Sequence, residues 1–185
     1  TSITCVQEEN TTEIYSASKA TAGLFVPVAT MINAAKGSQF TIDWQGDGNM
    51  KNCYLSAYID LNKDGDFDDA GELIMVKGTL GAANNSVEKG PMQVLLPYDM
   101  PTGITHIRLR FDGAWKTNYN KNTKAFPASN AINRRCYEIA LNVTEHSAGN
   151  SHIVITSNNT EWGTVRNITG VTGEDLNVPS GTEIC

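Results

Sequence analysis

Residues 53–61 read CYLSAYIDL and carry a clear alternating pattern. Apolar residues stand at every second position, with polar or aromatic residues between them. Because successive side chains of a β-strand point to opposite faces, this alternation predicts a strand with one buried face. Similar alternating rows occur at 40–44, 107–111 and 137–143. The dominant period of the sequence is therefore two.

Shorter apolar runs add weaker strand candidates at 24–28, 72–76 and 92–96. Turn-forming Gly, Asn and Asp residues lie between the predicted strands. Seven or eight short strands joined by turns predict an all-β fold, namely an antiparallel β-sandwich of the jelly-roll or Ig-like kind. Only residues 29–36, closed by Gly37, could carry a helical turn.

A run of small polar residues places a domain boundary near residue 146. Residues 1–146 are predicted to form the sandwich, and residues 147–185 a short linker with a β-hairpin extension. The two hairpin strands are expected at 153–156 and 162–165. Because about 35 residues rarely close a hydrophobic core alone, we interpret the extension as the start of a further β module.

The composition excludes several classes of protein. The chain has 185 residues, a hydrophobic fraction of 40% and a formal net charge of −6. This hydrophobic fraction suffices for a core and excludes wholesale disorder. The negative charge argues against a nucleic-acid partner, which requires a basic face. No apolar run approaches the roughly 18 residues of a membrane-spanning helix, so membrane insertion is not expected.

The four cysteines are widely spaced and form no C-x-x-C motif, which gives a zinc site little support. Disulfide bonds and free buried thiols both remain open, and spacing does not choose among the three full pairings. The residues concerned are Cys5, Cys53, Cys136 and Cys185.

Residues 60–72 carry the strongest chemical signal, with six acids and one base. Oxygen-bearing side chains at alternating positions, followed by a glycine that permits a sharp turn, are typical of loops that bind Ca²⁺. The loop fits the EF-hand pattern as far as Gly65 and then departs from it, and it follows a strand instead of a helix. The predicted ligands are Asp60, Asn62, Asp64, Asp66, Asp68 and Glu72.

The expected ion is Ca²⁺ in a structural role. Mg²⁺ suits the loop less because it sheds its waters reluctantly. Transition metals are not expected because the loop contains no His or Cys. The alternative is a solvated acidic turn without an ion, since Asp, Asn and Gly are also turn formers.

The sequence contains no recognisable catalytic motif. It has no G-x-S-x-G, no H-E-x-x-H and no glycine-rich phosphate loop. His106 and Cys136 could form a Cys–His pair, but we interpret His106 as a solvent-facing neighbour of Arg108 and Arg110. The chain is therefore not expected to be an enzyme.

A second candidate for function is the aromatic loop 112–133. It carries Trp115, Tyr119 and Phe126 among Lys and Asn residues. Aromatic faces with such hydrogen-bond donors suit a sugar ring or another protein, so Trp115 and Tyr119 are candidate ligand contacts. The alternative is that the aromatic side chains fold back over the edge of the sandwich.

Three motifs carry a family resemblance. Residues 58–72 read YIDLNKDGDFDDAGE, residues 97–110 read PYDMPTGITHIRLR, and residues 134–139 read RRCYEI. These stretches resemble the GEVED-domain family of secreted bacterial proteins, whose first two patterns are (W/Y)-I-D-x-N-x-D-G-x-F-x-x-x-G-E and P-x-x-A-x-x-G-x-T-R-x-R. His106 stands where the family usually has Arg, and Glu138 is the one acid kept from the Gly-Glu-Val-Glu-Asp-Tyr run.

The resemblance, over about residues 15–143, implies a non-enzymatic β-sandwich module within a larger secreted or cell-surface bacterial protein. We expect it to act in adhesion or as a structural spacer, with a glycan or another surface protein as partner. The alternative is a carbohydrate-binding module that uses the aromatic loop. Fold and family alone do not supply the ligand. In addition, EWGTV at residues 161–165 resembles the opening of small bacterial β-repeat modules.

Overall fold

The computed structural model describes residues 1–18, 24–46, 52–114, 135–146, 150–154 and 175–179. Within these ranges the regular elements are β-strands, which confirms the predicted all-β class. The chain divides into two compact units, Thr1–Glu145 and His146–Cys185. No helix in the described ranges has the length and apolar character needed to cross a membrane.

In its described part, the first unit contributes nine strands that form two sheets. They are β1 (Ser2–Gln7), β2 (Asn10–Ser16), β3 (Leu24–Ala35), β4 (Gln39–Gln45), β5 (Cys53–Ile59), β6 (Leu73–Lys77), β7 (Met92–Leu95), β8 (Gly103–Gly113) and β9 (Arg135–Thr144). One sheet has the order β2-β1-β4-β7, and the other has the order β3-β9-β8-β5-β6.

The hydrophobic core combines side chains from both sheets, as expected for a sandwich. The alternation read from the sequence predicts the buried face of β5, β8 and β9 correctly, because Leu55, Ile107 and Ile139 are all fully buried. The four-stranded sheet contributes Ile3 and Ile42 to the same cluster. Period-two patterning therefore positions the strands that flank the candidate site.

Strand β3 is longer than predicted and pairs in parallel with β9. Residues 29–35 continue β3 and form no helical turn. The register of β3 on β9 shifts between Val28 and Ile32, so the period of two breaks there and leaves a spacing that looks helical in sequence. Moreover, β3 and β9 run parallel, whereas the other pairs in this sheet are antiparallel, so the sheet is mixed.

The second unit contains two described strands, β10 (Asn150–Val154) and β11 (Asp175–Pro179), which pair antiparallel. The strand predicted at 153–156 overlaps β10 but begins three residues late. The predicted partner strand at 162–165 lies outside the described residues.

Candidate metal centre

The acidic loop of residues 60–72 connects β5 to β6, and backbone hydrogen bonds fix both of its ends. The Ile59 amide donates to the Glu72 carbonyl at 2.9 Å, and the Asp60 amide donates to the His106 carbonyl on β8 at 3.1 Å. The side chain of Thr105 also donates to the Asp60 carbonyl. The loop therefore begins and ends on a rigid sheet.

The two buried acids of the loop hold its backbone. Asp60 is 4% exposed, and its carboxylate accepts from the amides of Lys63 at 2.7 Å and Gly65 at 3.2 Å. Glu72 is fully buried and accepts from the amides of Leu61 at 3.0 Å and Asp69 at 3.1 Å. Each carboxylate thus satisfies two donors that the turn would otherwise leave unpaired.

Burial raises the pKa of Glu72 above its ordinary value, and the two backbone donors offset part of this effect. Gly65 has φ +90°, in the left-handed region that favours glycine, and this permits the sharp turn in mid-loop. Lys63 also has a positive φ of 65°. Local backbone geometry, together with the two buried acids, sets the shape of the loop.

Three exposed or half-exposed acids converge on the outside of the loop. Asp64, Asp66 and Asp69 each offer a carboxylate oxygen, and these oxygens lie within 4.8 Å of one another. The Asn62 side-chain amide donates to Asp64 at 2.9 Å and to Asp69 at 2.5 Å. The Asp66 amide donates to Asp64 at 3.1 Å, and this bond, followed by that from Asn62, lowers the pKa of Asp64.

The six predicted ligands have different surroundings in the structure. Asp64 and Asp66 belong to the cluster, and Asn62 contacts it through its amide nitrogen. Asp60 and Glu72 cap the backbone instead, and Asp68 is exposed and outside the cluster. The sequence interpretation did not choose Asp69, because matching positions to the EF-hand spacing favours Asp68. The only feature of the sequence that points to Asp69 is its membership of the six acids in residues 60–72.

The single base of the loop turns away from the acids. The ammonium of Lys63 donates to the carbonyl of Thr102, in the loop that leads into β8. Gly103 follows with φ +101°, and a Cβ there would lie 3.3 Å from the Lys63 ammonium nitrogen. Lys63 therefore joins the first and second motifs of the family resemblance. Its ammonium makes this contact and forms no ion pair with the acids of the described loop.

Phe67 anchors the middle of the acidic loop to the sheet. Its side chain is 3% exposed, and its ring centroid lies 5.7 Å from that of Tyr58 on β5. The guanidinium carbon of Arg108 on β8 lies 4.4 Å from the Phe67 ring centroid, a cation–π contact. An apolar residue amid six acids is thus buried on the side of the sheet that faces away from the hydrophobic core.

This outer side of the five-stranded sheet also holds two buried ion pairs. Arg108 donates to Glu138 on β9, with the Nε contact at 3.2 Å, and the two side chains are 3% and 9% exposed. Arg110 donates to Asp112 at 2.6 Å. Through Phe67, Arg108 and Glu138, the third motif joins the other two in one cluster. The register pairs Arg108 with both Tyr58 and Glu138.

The cysteines described by the structure are buried thiols. Cys5, Cys53 and Cys136 are buried and are not disulfide-bonded, and Cys185 lies outside the described residues. Burial raises the pKa of Cys136 to about 11, so its thiol is protonated at neutral pH and is a poor nucleophile. His106 and Cys136 do not stand opposite each other in the sheet, because His106 pairs with Ala140 and Cys136 pairs with Arg110.

The candidate ligand contacts Trp115 and Tyr119 lie outside the described residues. Of the aromatic loop 112–133, the structure describes residues 112–114 and none beyond them. Asp112 and Gly113 end strand β8. The use of this loop in binding stays a prediction.

Comparison with known proteins gives one family match. The family model described as GEVED domain matches residues 54–133. Among solved structures, the chain is similar to a cellulose-active polysaccharide monooxygenase from M. thermophila, with 12% sequence identity and a TM-score of 0.42. That similarity covers 80% of this chain and 79% of the other. The comparison with curated proteins found no match. The resemblance read from the first two motifs is thus confirmed, and residues 54–133 of the chain match the GEVED domain family, whereas the third motif at residues 134–139 lies beyond the matched segment.

Proposed function

We propose that the first unit is a non-catalytic β-sandwich module stabilised by Ca²⁺ in its acidic loop. It would belong to a secreted or cell-surface bacterial multidomain protein and act in adhesion or as a structural spacer. A glycan or another surface protein is the proposed partner. The GEVED domain is not a known catalytic family, which agrees with a binding or structural role.

One observation carries the proposal: three carboxylates converge within 4.8 Å while the only base of the loop is directed elsewhere. Like charges at this separation repel each other, and water and salt screen the repulsion only in part. A hard cation among them would convert repulsion into attraction. Asp64, Asp66 and Asp69 would hold the ion, and the Asn62 amide nitrogen, which now donates to Asp64 and Asp69, would have to turn away from the ion.

The donor set fits Ca²⁺ better than other common metals. The cluster and its neighbours offer carboxylate, amide and backbone oxygens, with no sulfur or imidazole ligand. The buried caps Asp60 and Glu72 hold the loop backbone without the ion, so binding would mainly require the Asn62 side chain to move. At 100 times its Kd, Ca²⁺ would add about 2.7 kcal/mol to the free energy of unfolding.

The test is a thermal melt of the full chain in EDTA, in Ca²⁺ and in Mg²⁺. We expect Ca²⁺ to raise Tm by several degrees and Mg²⁺ to raise it less. Asp69→Asn should abolish the Ca²⁺ effect, whereas the matched neighbour Asp68→Asn should preserve it. Equal melting of the parent chain in EDTA and in Ca²⁺ would contradict the proposal. Loss of the effect in Asp68→Asn alone would support the ligand set expected from the EF-hand spacing.

The carbohydrate-binding alternative depends on the aromatic loop. It predicts glycan binding that Trp115→Ala abolishes while leaving the melting temperature unchanged. Glycan binding that persists in a folded Trp115→Ala chain would exclude that loop as the binding surface.

A further inference from the structure

A polar cleft lies on the four-stranded sheet, away from the acidic loop. Along β1 and β4 the core-facing residues alternate with outward-facing ones, so Ile3 and Trp44 are buried while their neighbours face outward. The register sets Ser2 opposite Gln45 and Thr4 opposite Asp43. These four side chains form a two-by-two array, with opposing Cβ atoms about 5 Å apart.

The backbone before β7 forms one wall of the cleft. The Gly46 amide donates to the Glu88 carbonyl at 2.6 Å, and the Gly90 amide donates to the Trp44 carbonyl at 2.9 Å. A Cβ on Gly90 would lie 2.4 Å from the Asp43 carboxylate, so the absence of a side chain there lets Asp43 approach the backbone. Together with Lys89, these groups enclose a cleft of about 300 Å³.

The polar side chains of the cleft offer both donors and acceptors. Asp43, which is exposed, accepts from the Trp44 amide through Oδ1 at 2.8 Å. Gln45, also exposed, donates to the Gly46 carbonyl at 3.1 Å. Ser2 and Thr4 add hydroxyls that both donate and accept. The lining thus combines acceptors and donors from four side chains.

The chemistry of this lining selects a class of ligand. The lining residues include one acid, Asp43, and one base, Lys89, so their formal charges sum to zero and the net charge of the lining favours neither an anion nor a cation. Mixed donors and acceptors suit a ligand whose groups also do both, which is the property of hydroxyls. The volume lies at the lower end for small-molecule sites. We propose that this cleft binds a saccharide through Thr4, Asp43 and Gln45.

This binding would be weak and independent of the acidic loop. Each exposed hydrogen bond replaces one with water, so a Kd of about 1 mM is expected. The acidic loop follows β5 in the other sheet, so EDTA should leave saccharide binding unchanged. Failure of the calcium proposal would therefore not affect this one.

The experiment is an NMR titration of the full ¹⁵N-labelled chain with cello-, xylo-, chito- and malto-oligosaccharides at about 10 mM, roughly ten times the expected Kd. Glycine and inorganic phosphate serve as charged probes. We expect one saccharide to shift the amides of Thr4, Asp43 and Lys89. Gln45→Ala and Asp43→Asn should each weaken binding about five- to tenfold, the effect of one lost hydrogen bond.

Gln93→Ala is the matched control, because Gln93 is also an exposed glutamine on this sheet and does not line the cleft. It should leave the saccharide affinity unchanged. The proposal is overturned if none of the four saccharides shifts the cleft amides. It is also overturned if binding survives Gln45→Ala and Asp43→Asn combined in a folded chain, or if a charged probe binds more tightly.

Discussion

Replacing Phe67 tests whether the acidic loop is anchored as described. The side chain is 3% exposed, packs against Tyr58 and lies over the Arg108 guanidinium. Truncating a buried Phe to Ala costs about 3–5 kcal/mol, and a cation–π contact contributes about 0.5–2 kcal/mol. A loop relaxes around a cavity more readily than a strand, so we expect Phe67→Ala to lower the free energy of unfolding by about 3 kcal/mol. Domains of this size are stable by about 5–15 kcal/mol.

The assay is urea unfolding followed by tryptophan fluorescence, in EDTA so that no metal contributes. Phe67→Leu retains most of the apolar volume and should cost about 1–1.5 kcal/mol. Leu95→Ala is the control, because Leu95 is 69% exposed and its truncation should cost about 0.5 kcal/mol or less. If Phe67→Ala costs no more than Leu95→Ala, the loop is not anchored through this ring, and the reasoning is refuted.

Three further predictions follow from buried or constrained groups. Glu138→Ala removes the carboxylate that pairs with the buried Arg108 guanidinium and should cost about 3–5 kcal/mol in urea titrations. Lys36→Ala breaks an exposed ion pair and should cost about 0.5 kcal/mol or less. Gly37→Ala should lower Tm by several degrees in calorimetry, because φ is +71°, in the left-handed region that disfavours alanine, and the exposed ring of Tyr98 would also have to move away from the new Cβ; an unchanged Tm would contradict this. Burial raises the pKa of Cys136 from 9.0 to about 11, so the thiol of the native chain should resist iodoacetamide at pH 8, and rapid labelling would contradict its burial. Because the unfolded thiol ionises at the lower pH, the free energy of unfolding should fall as pH rises from 9 through 11.

Much of the fold follows from period-two patterning, but two kinds of strand escape it. Where apolar residues alternate with polar or aromatic ones, as along β5, the pattern reports the strand directly, although Ser56 and Tyr58 on its second face are buried as well and the prediction of a single buried face was wrong there. Strand β2 has one buried residue, Ile14, among exposed or half-exposed neighbours, so its alternation is too weak to read. In β3 the register shift between Val28 and Ile32 breaks the pattern. Whether a strand lies at the edge of a sheet, as β2 does, or pairs irregularly, as β3 does, depends on strands distant in sequence, so local patterning does not reveal it.

The candidate site was predictable in its location and less so in its details. The density of acids identifies residues 60–72, because few other functions concentrate like charges so closely. The backbone amides of the turn need acceptors, and the shape of the turn decides which carboxylates supply them. Asp60 and Glu72 accept from these amides, whereas the Asp69 carboxylate belongs to the cluster. The saccharide cleft has no local signal, since it arises from the cross-strand register of β1 and β4.

The parallel pairing of β3 with β9 constrains the order in which the first unit folds. Leu24 pairs with Arg135, and Ala35 pairs with Thr144, so an early segment must wait for the last strand of the unit to leave the ribosome. Closing so long a loop is entropically costly, and folding dominated by such distant contacts is slow. The segment 54–133 that matches the family model includes neither β3 nor β9. Expressed as an isolated fragment, it would expose the edge of β8 and the apolar face of an incomplete sheet, and it should aggregate during synthesis.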